Sequence, residues 1–139
     1  ALFHLSIPVA SLGAARLFYV DLLGCKVGRS SEHRMDINFF GHHVVAHLTP
    51  AQANAPSAEF HSDGEDVSVR HFGAIVGQTE WQRLAEHLTQ ADTPFSMTPR
   101  VIRAGTIEEQ RIMMMPDGCG NIVELKSLPK DRVFAKSDD

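Results

Sequence analysis

The sequence predicts an α+β fold made of two copies of one unit, each a strand, a helix and three further strands. Three observations carry this. The chain opens on Phe3-His4-Leu5-Ser6-Ile7-Pro8-Val9 followed by a helical pattern, and Arg70-His71-Phe72-Gly73-Ala74-Ile75-Val76 repeats that opening before a second helical pattern. Thirteen residues after each histidine come Leu17 and Leu84, and twenty after come Gly24 and Ala91, both at a helix end. Each helix is then followed by apolar alternation at strand spacing.

In order, Leu2 to Val9 alternates apolar residues with His4 and Ser6, as a half-buried strand does. Ser11 is placed to cap a helix whose apolar stripe is Leu12, Ala15, Leu17, Phe18 and Leu22, and Gly24 ends it. Cys25 to Arg29, Met35 to Phe40 and His43 to Thr49 read as three strands, the last two joined by a tight turn at Gly41-His42. Residues 2–49 form the first module.

Residues 50–66 differ in kind. They are rich in Ala, Ser, Asn and Pro and turn acidic at Glu59, Asp63, Glu65 and Asp66, which predicts a linker loop. The second module, 67–128, restarts with a strand over Val67 to Val76. Thr79 is placed to cap a helix with Trp81, Leu84, Ala85 and Leu88 on one face. A short strand follows around Phe95 and Met97, then a longer one over Thr106 to Met115. A turn at Pro116 to Gly120 leads to a last strand over Asn121 to Leu128. Residues 129–139 are a charged tail.

Composition narrows the function. With 13 Lys and Arg against 17 Asp and Glu, the net charge of −4 gives no footprint for nucleic acid. No apolar run approaches the roughly 18–20 residues of a membrane span. Two distant cysteines, Cys25 and Cys119, are no disulfide framework for a domain of this size, and no charged leader precedes the first strand. A reducing, cytoplasmic location is the expectation.

Among the eight histidines, placement selects His4 and His71, which begin the first strand of each module. The last strands read Val44-Val45-Ala46-His47-Leu48-Thr49 and Ile122-Val123-Glu124-Leu125-Lys126. A pseudo-twofold axis between modules would pair His47 with Glu124, so four ligand-type side chains would converge. A glutamate between Val123 and Leu125 is costly to bury unpaired, and a metal or an arginine such as Arg111 would compensate it. His33, His42 and His43 lie in or beside hairpin turns and read as solvated. His43 shares a face with His47 but is four residues away, about 13 Å at ~3.3 Å each, outside a common metal shell. His87 reads as outward-facing or as a helix-end cap, Trp81 as core or dimer contact, and Arg100, Arg103 and Arg111 as surface charges or anion contacts.

The stretches His4 to Val9, Ala15-Arg16-Leu17-Phe18-Tyr19 with Leu22-Leu23-Gly24, and Asp117-Gly118-Cys119-Gly120-Asn121-Ile122-Val123-Glu124 resemble the vicinal-oxygen-chelate superfamily. That superfamily includes glyoxalase I, extradiol dioxygenases, and fosfomycin and bleomycin resistance proteins. The last stretch is similar to its Asp-Pro-x-Gly-Asn-x-x-Glu run, with Gly118 in place of the proline. The resemblance spans residues 2 to 128 and implies two βαβββ modules whose curved mixed sheets form a cup.

It also implies metal ligation at His4, His47, His71 and Glu124. Glyoxalase-type members usually carry a carboxylate where this chain has His47. His4, His71 and Glu124 match the two-histidine, one-carboxylate set of extradiol enzymes, which favours Fe(II) and leaves positions open for O₂ and a substrate with vicinal oxygens. His47, where it is not a ligand, and His61 are the acid/base candidates. The tyrosine that such enzymes carry on the strand before the glutamate is missing; that strand reads Gln110 to Met115, and its methionines suggest a soft apolar wall. The expectation is a dioxygenase acting on a small molecule. A glyoxalase-type lyase or isomerase using Zn, Ni or Mn is the alternative, and a metal-free binding protein of the resistance type is a third. A homodimer is expected, because a single curved sheet leaves an apolar face in need of a partner.

Overall fold

The computed structural model describes residues 1–53, 58–62 and 64–136. Parts of the expected linker, 54–57 and Asp63, and the end of the expected tail, 137–139, lie outside the described residues.

The first sheet is built from β1 (His4–Val9), β2 (Lys26–Ser30), β3 (Arg34–Phe39) and β4 (His42–Leu48) in the order β1-β4-β3-β2. β1 runs parallel to β4 and the other pairs are antiparallel. Between β1 and β2, Ser11 caps α1 (Leu12–Ala15), its side chain accepting from the Ala14 N–H at 3.2 Å. The helix then widens into a π-helical segment, Arg16–Leu22, closed by a Leu23 N–H to Phe18 carbonyl bond five residues back. Gly24 ends it with φ of +78°. The widening alters which residues face inward. Phe18, Tyr19 and Leu23 are buried, whereas Leu17, expected on the inner stripe, is 65% exposed. A stripe read at 3.6 residues per turn fails here because the hydrogen-bond ladder has a different period.

The stretch between modules is structured where it is described. α2 (Pro50–Ala53) follows β4, and β5 (Glu59–Ser62) pairs with β6 (Glu65–Ser68) as a hairpin. The expected strand over Val67 to Val76 is thus two elements, the end of β6 and β7 (Phe72–Ile75). α3 (Gln78–Gln90) follows with Gly77, not Thr79, at its cap position. β8 (Met97–Ile102), β9 (Gln110–Pro116) and β10 (Ile122–Ser127) complete a second sheet in the order β7-β10-β9-β8. Only β7 and β10 are parallel in it, so the second sheet repeats the first. The tail carries one short helix, α4 (Lys130–Val133).

The inner faces of both sheets and the two longer helices share one core, with Ile7, Val9, Phe18, Tyr19, Trp81, Leu84, Leu88, Met113, Met115, Val123 and Leu125 all buried. Trp81 is core, and its indole N–H donates to the Leu125 carbonyl at 2.9 Å. The modules are also tied by polar contacts. Tyr19 Oη donates to Asp117 at 2.6 Å, and the same buried carboxyl accepts from the Cys119 and Asn121 N–H groups and from Asn121 Nδ2. Asn121 Nδ2 also reaches the Pro8 carbonyl at 2.8 Å. Burial first, then Asp117, pushes the Tyr19 phenol well above its ordinary value of 10.0. The Asp117-to-Asn121 part of the family-like run is therefore a structural joint. Gly118 holds φ of +75°, which a proline ring fixed near −65° cannot adopt, so the departure at that position goes with a different turn.

Candidate metal-binding faces

Each sheet has an outer face, turned away from the shared core, and the candidate residues lie on these two faces. On the first, register places His4 beside His43, Ser6 beside Val45 and Pro8 beside His47. Asn38, Asp36 and Arg34 of β3 stand next to His43, Val45 and His47 in turn. His4 Nδ1 lies 2.8 Å from His43 Nδ1, and His43 Nε2 lies 3.5 Å from Asp36 Oδ2. Asp36 is buried and also accepts from Arg34 Nη2 at 2.5 Å and Arg29 Nε at 3.3 Å. The Arg34 hydrogen bond, followed by those of Arg29 and His43, outweighs burial and holds the Asp36 carboxyl at about 2, below its ordinary 3.8. A cavity of about 430 Å³ opens beside this network, lined by Lys26, Arg29, Asp36, Asn38, His42 and His43 among others.

On the second face His71 precedes β7 and Glu124 lies on β10. His71 Nε2 is 3.8 Å from Glu124 Oε1, and Lys126 Nζ is 3.5 Å from the same oxygen. A carbonyl can only accept, so the 2.7 Å contact of His71 Nδ1 with the Ser68 carbonyl puts the ring hydrogen on Nδ1. His71 Nε2 is then the ring nitrogen that faces Glu124. Two donors each ~2.1 Å from one metal are roughly 3 to 3.8 Å apart over ordinary ligand angles, so this pair fits half of a coordination shell. Above it a cavity of about 210 Å³ is lined by Met97, Ile112, Met114, Gln110 and Arg103, and by Phe60 and Val67 of the hairpin. Of the methionine run only Met114 faces this wall; Met113 and Met115 belong to the core.

Register locates His47 differently from the twofold pairing expected of it. Glu124 is paired with Gly73, two residues after His71. Two residues after His4 is Ser6, and its partner on β4 is Val45. Val45, not His47, is level with Glu124. His47 pairs with Pro8, as Lys126 pairs with Ile75, one side-chain step further along each strand. His47 is half-buried on the same face as His4, about 13 Å along the sheet from it at ~3.3 Å per residue.

Other expectations resolve individually. His43, expected to be solvated, lies four residues from His47 on β4 and stands beside His4 across the β1–β4 pairing. Glu124 has Lys126 for a cationic neighbour, whereas Arg111 sits opposite Ser127 and Val101. His61 is exposed on the hairpin, 3.2 Å from Asp66. His87 Nε2 lies 3.0 Å from the Leu22 carbonyl, and Arg100 pairs with Glu65 at 3.4 Å. Asp36 and Lys126 were not singled out in the sequence; each gains its role from a cross-strand neighbour that sequence order does not reveal. Among the described residues, no three His, Cys, Asp or Glu side chains of one chain converge as a metal site, and the ligand-type residues stand as two separate clusters.

A sequence profile of the Glyoxalase/Bleomycin resistance protein/Dioxygenase superfamily matches residues 1–125. The chain belongs to this superfamily. A glyoxalase/bleomycin resistance protein/dioxygenase from Alicyclobacillus acidocaldarius is 30% identical and superposes with a TM-score of 0.77, covering 97% of this chain and 96% of that one. The fosfomycin resistance protein FosX from Listeria monocytogenes (12% identity, TM-score 0.68, 95% and 96% covered) and lactoylglutathione lyase from Agrobacterium tumefaciens (14%, 0.64, 98% and 97%) share the fold. No curated protein matches the chain at the level of sequence. The paired βαβββ architecture is that of the superfamily. Among the described residues no helix is long and apolar enough to cross a membrane.

Proposed function

We propose that this superfamily member is a metal-dependent enzyme of the extradiol-dioxygenase kind, with His4, His71 and Glu124 as its ligands and Fe(II) as the favoured metal. The observation that carries the reading is the register: the position level with Glu124 in the first module is the apolar Val45, which favours a three-ligand set over a four-ligand one. Bound at such a set, Fe(II) supplies a Lewis-acidic centre with positions open to O₂ and to two adjacent oxygens of a small substrate.

The residues of the chain do the remaining work. The Ser68 carbonyl fixes the His71 ring with Nε2 toward Glu124. Met97, Ile112 and Met114 with Phe60 and Val67 give one apolar wall of a small chamber, which would exclude water from one side of a flat substrate. Lys126 holds positive charge beside Glu124. His47, half-buried and one step beyond the Val45 level, is the proton carrier of this reading; His61 is the second, on the covering hairpin. Because His4 and the His71–Glu124 pair lie on separate faces, the ligand set is completed between two copies of the chain. The expected assembly is a homodimer in which the first-module face of one protomer meets the second-module face of its partner. Cys25 and Cys119 are both free thiols, which is compatible with a reducing cytoplasm.

Anaerobic purification with metal analysis and an oxygen electrode tests this. One iron per site with O₂ uptake on catechols supports it. Oxygen-independent turnover of a hemithioacetal with Ni²⁺ or Zn²⁺ replaces it with the glyoxalase-type reading. No metal bound under any condition, with unchanged stability in His71→Ala, leaves only the metal-free binding protein.

A further inference from the structure

The two candidate histidine ligands are held from behind in different ways, and the hold on His4 is unassigned. Across the β1–β4 pairing the His4 and His43 rings are inclined by 24° with centroids 4.8 Å apart, and their Nδ1 atoms approach to 2.8 Å. At that separation one nitrogen carries the hydrogen and the other accepts it. The far nitrogen of His43, Nε2, faces Asp36 Oδ2 at 3.5 Å. Asp36 is anchored by Arg34 and Arg29 and stays ionised, so a lone pair on His43 Nε2 would point at a negative charge. His43 Nε2 therefore carries hydrogen. In the neutral ring His43 Nδ1 is then the acceptor, and the shared hydrogen belongs to His4 Nδ1. His4 Nε2 is left with a bare lone pair.

We propose that His43 and Asp36 are positioning residues that lock His4 into its Nδ1–H tautomer and present Nε2 as a metal donor. The arrangement reproduces with a His–Asp pair what a single backbone carbonyl does for His71. Outer partners of this kind fix ring orientation and ligand basicity, and their removal costs about 10–100-fold in metal affinity. The functional half of the inference rests on His4 being a ligand; the tautomer does not.

The test is two-bond ¹H–¹⁵N correlation of histidine-labelled, metal-free protein, recorded at a pH where the ring nitrogen shifts themselves report neutral imidazoles. His4 is expected with its hydrogen on Nδ1, and a His4 signal of the Nε2–H form overturns the proposal. His43→Leu removes the acceptor and is expected to move His4 to the Nε2–H form and to weaken Zn²⁺ binding about 10–100-fold. His43→Asn, whose side-chain oxygen can stand where Nδ1 stood, is expected to keep both near wild type. Leu and Asn variants that behave alike overturn the positioning role. Asp36→Asn, which retains shape without charge, is expected to leave His4 as a mixture of tautomers, and a pure Nδ1–H signal there removes Asp36 from the relay. Wild-type Zn²⁺ affinity in His4→Ala overturns His4 as a ligand while leaving the tautomer result in force.

Discussion

The two sheets have the same strand order, the same parallel pair and a histidine at the same place, yet the neighbours of that histidine differ between their outer faces. The first is a charged network in which Asp36 gathers two arginines and a histidine. The second is a chamber of mixed lining, with Met97, Ile112 and Met114 on one side, Glu124, His71 and Lys126 among its polar residues, and Phe60 and Val67 of the β5–β6 hairpin over it. What a strand-opening histidine can do is thus set by its neighbours across the sheet and not by its position in the repeat. On the first face the neighbours hold a single imidazole, that of His4. On the second they supply the carboxylate as well.

The comparison is most exposed where the modules are joined. Asp117 accepts from Tyr19, Cys119 and twice from Asn121, so Asp117→Ala strands several buried donors at ~1 kcal/mol each and is expected to cost about 3–4 kcal/mol in urea unfolding. A cost under about 1 kcal/mol would show that apolar contact alone holds the modules together. Next, His71→Ala and Glu124→Ala are each expected to weaken Fe(II) or Zn²⁺ binding by more than about 100-fold, beyond the range of outer-shell partners, with His47→Ala inside about 10-fold. An equal loss in His47→Ala would restore a fourth ligand and erase the difference between the faces.

The third prediction uses the positions that pair with the strands of the proposed ligands. A Cβ on Gly73 would stand 1.6 Å from the Glu124 carbonyl oxygen, whereas Ser6, its counterpart on β1, already carries a side chain. Gly73→Ala is expected to cost about 1–3 kcal/mol and to weaken metal binding by moving β7 off β10. Ser6→Ala is expected to stay within about 0.5 kcal/mol.

The smallest effect is acid-dependent. The Asp36 carboxyl is depressed from 3.8 to about 2, so its ionised contacts add stability above pH 3.8 and lose it as pH falls through about 2. Urea midpoints of wild type and Asp36→Asn should therefore differ at pH 5 to 6 and converge at the acid end. A constant gap would remove the charge from the first-face network.

The order of elements was legible because it follows local signals: the Ser11 cap, the Gly24 stop, alternation in β3 and β4, and the turn at Asp117 to Gly120. The hairpin over the second face was hidden by polar composition, although Phe60 and Val67 flank Asp63-Gly64, a pair typical of tight turns, and both point into the chamber. The π-helical turn left no trace at helical spacing, and it carried Leu17 outward. The site was readable as a set of residue types and not as a set of neighbours. Which histidine stands beside His4 depends on how β4 is aligned against β1 across a gap of 39 residues, and nothing in either strand alone states that alignment.

The parallel pairing of β1 and β4 has an evolutionary consequence. Sliding one strand by a single residue turns its side chains to the opposite face, but sliding by two returns each to the face it left. A two-residue slip of β4 would carry His47 or His43 to the place of Val45 while every core-facing side chain kept its orientation. In such a fold the coordination number of a metal, and with it the choice between oxygen chemistry and simple polarisation of a carbonyl, can change through strand phase alone, with no ligand gained or lost by mutation.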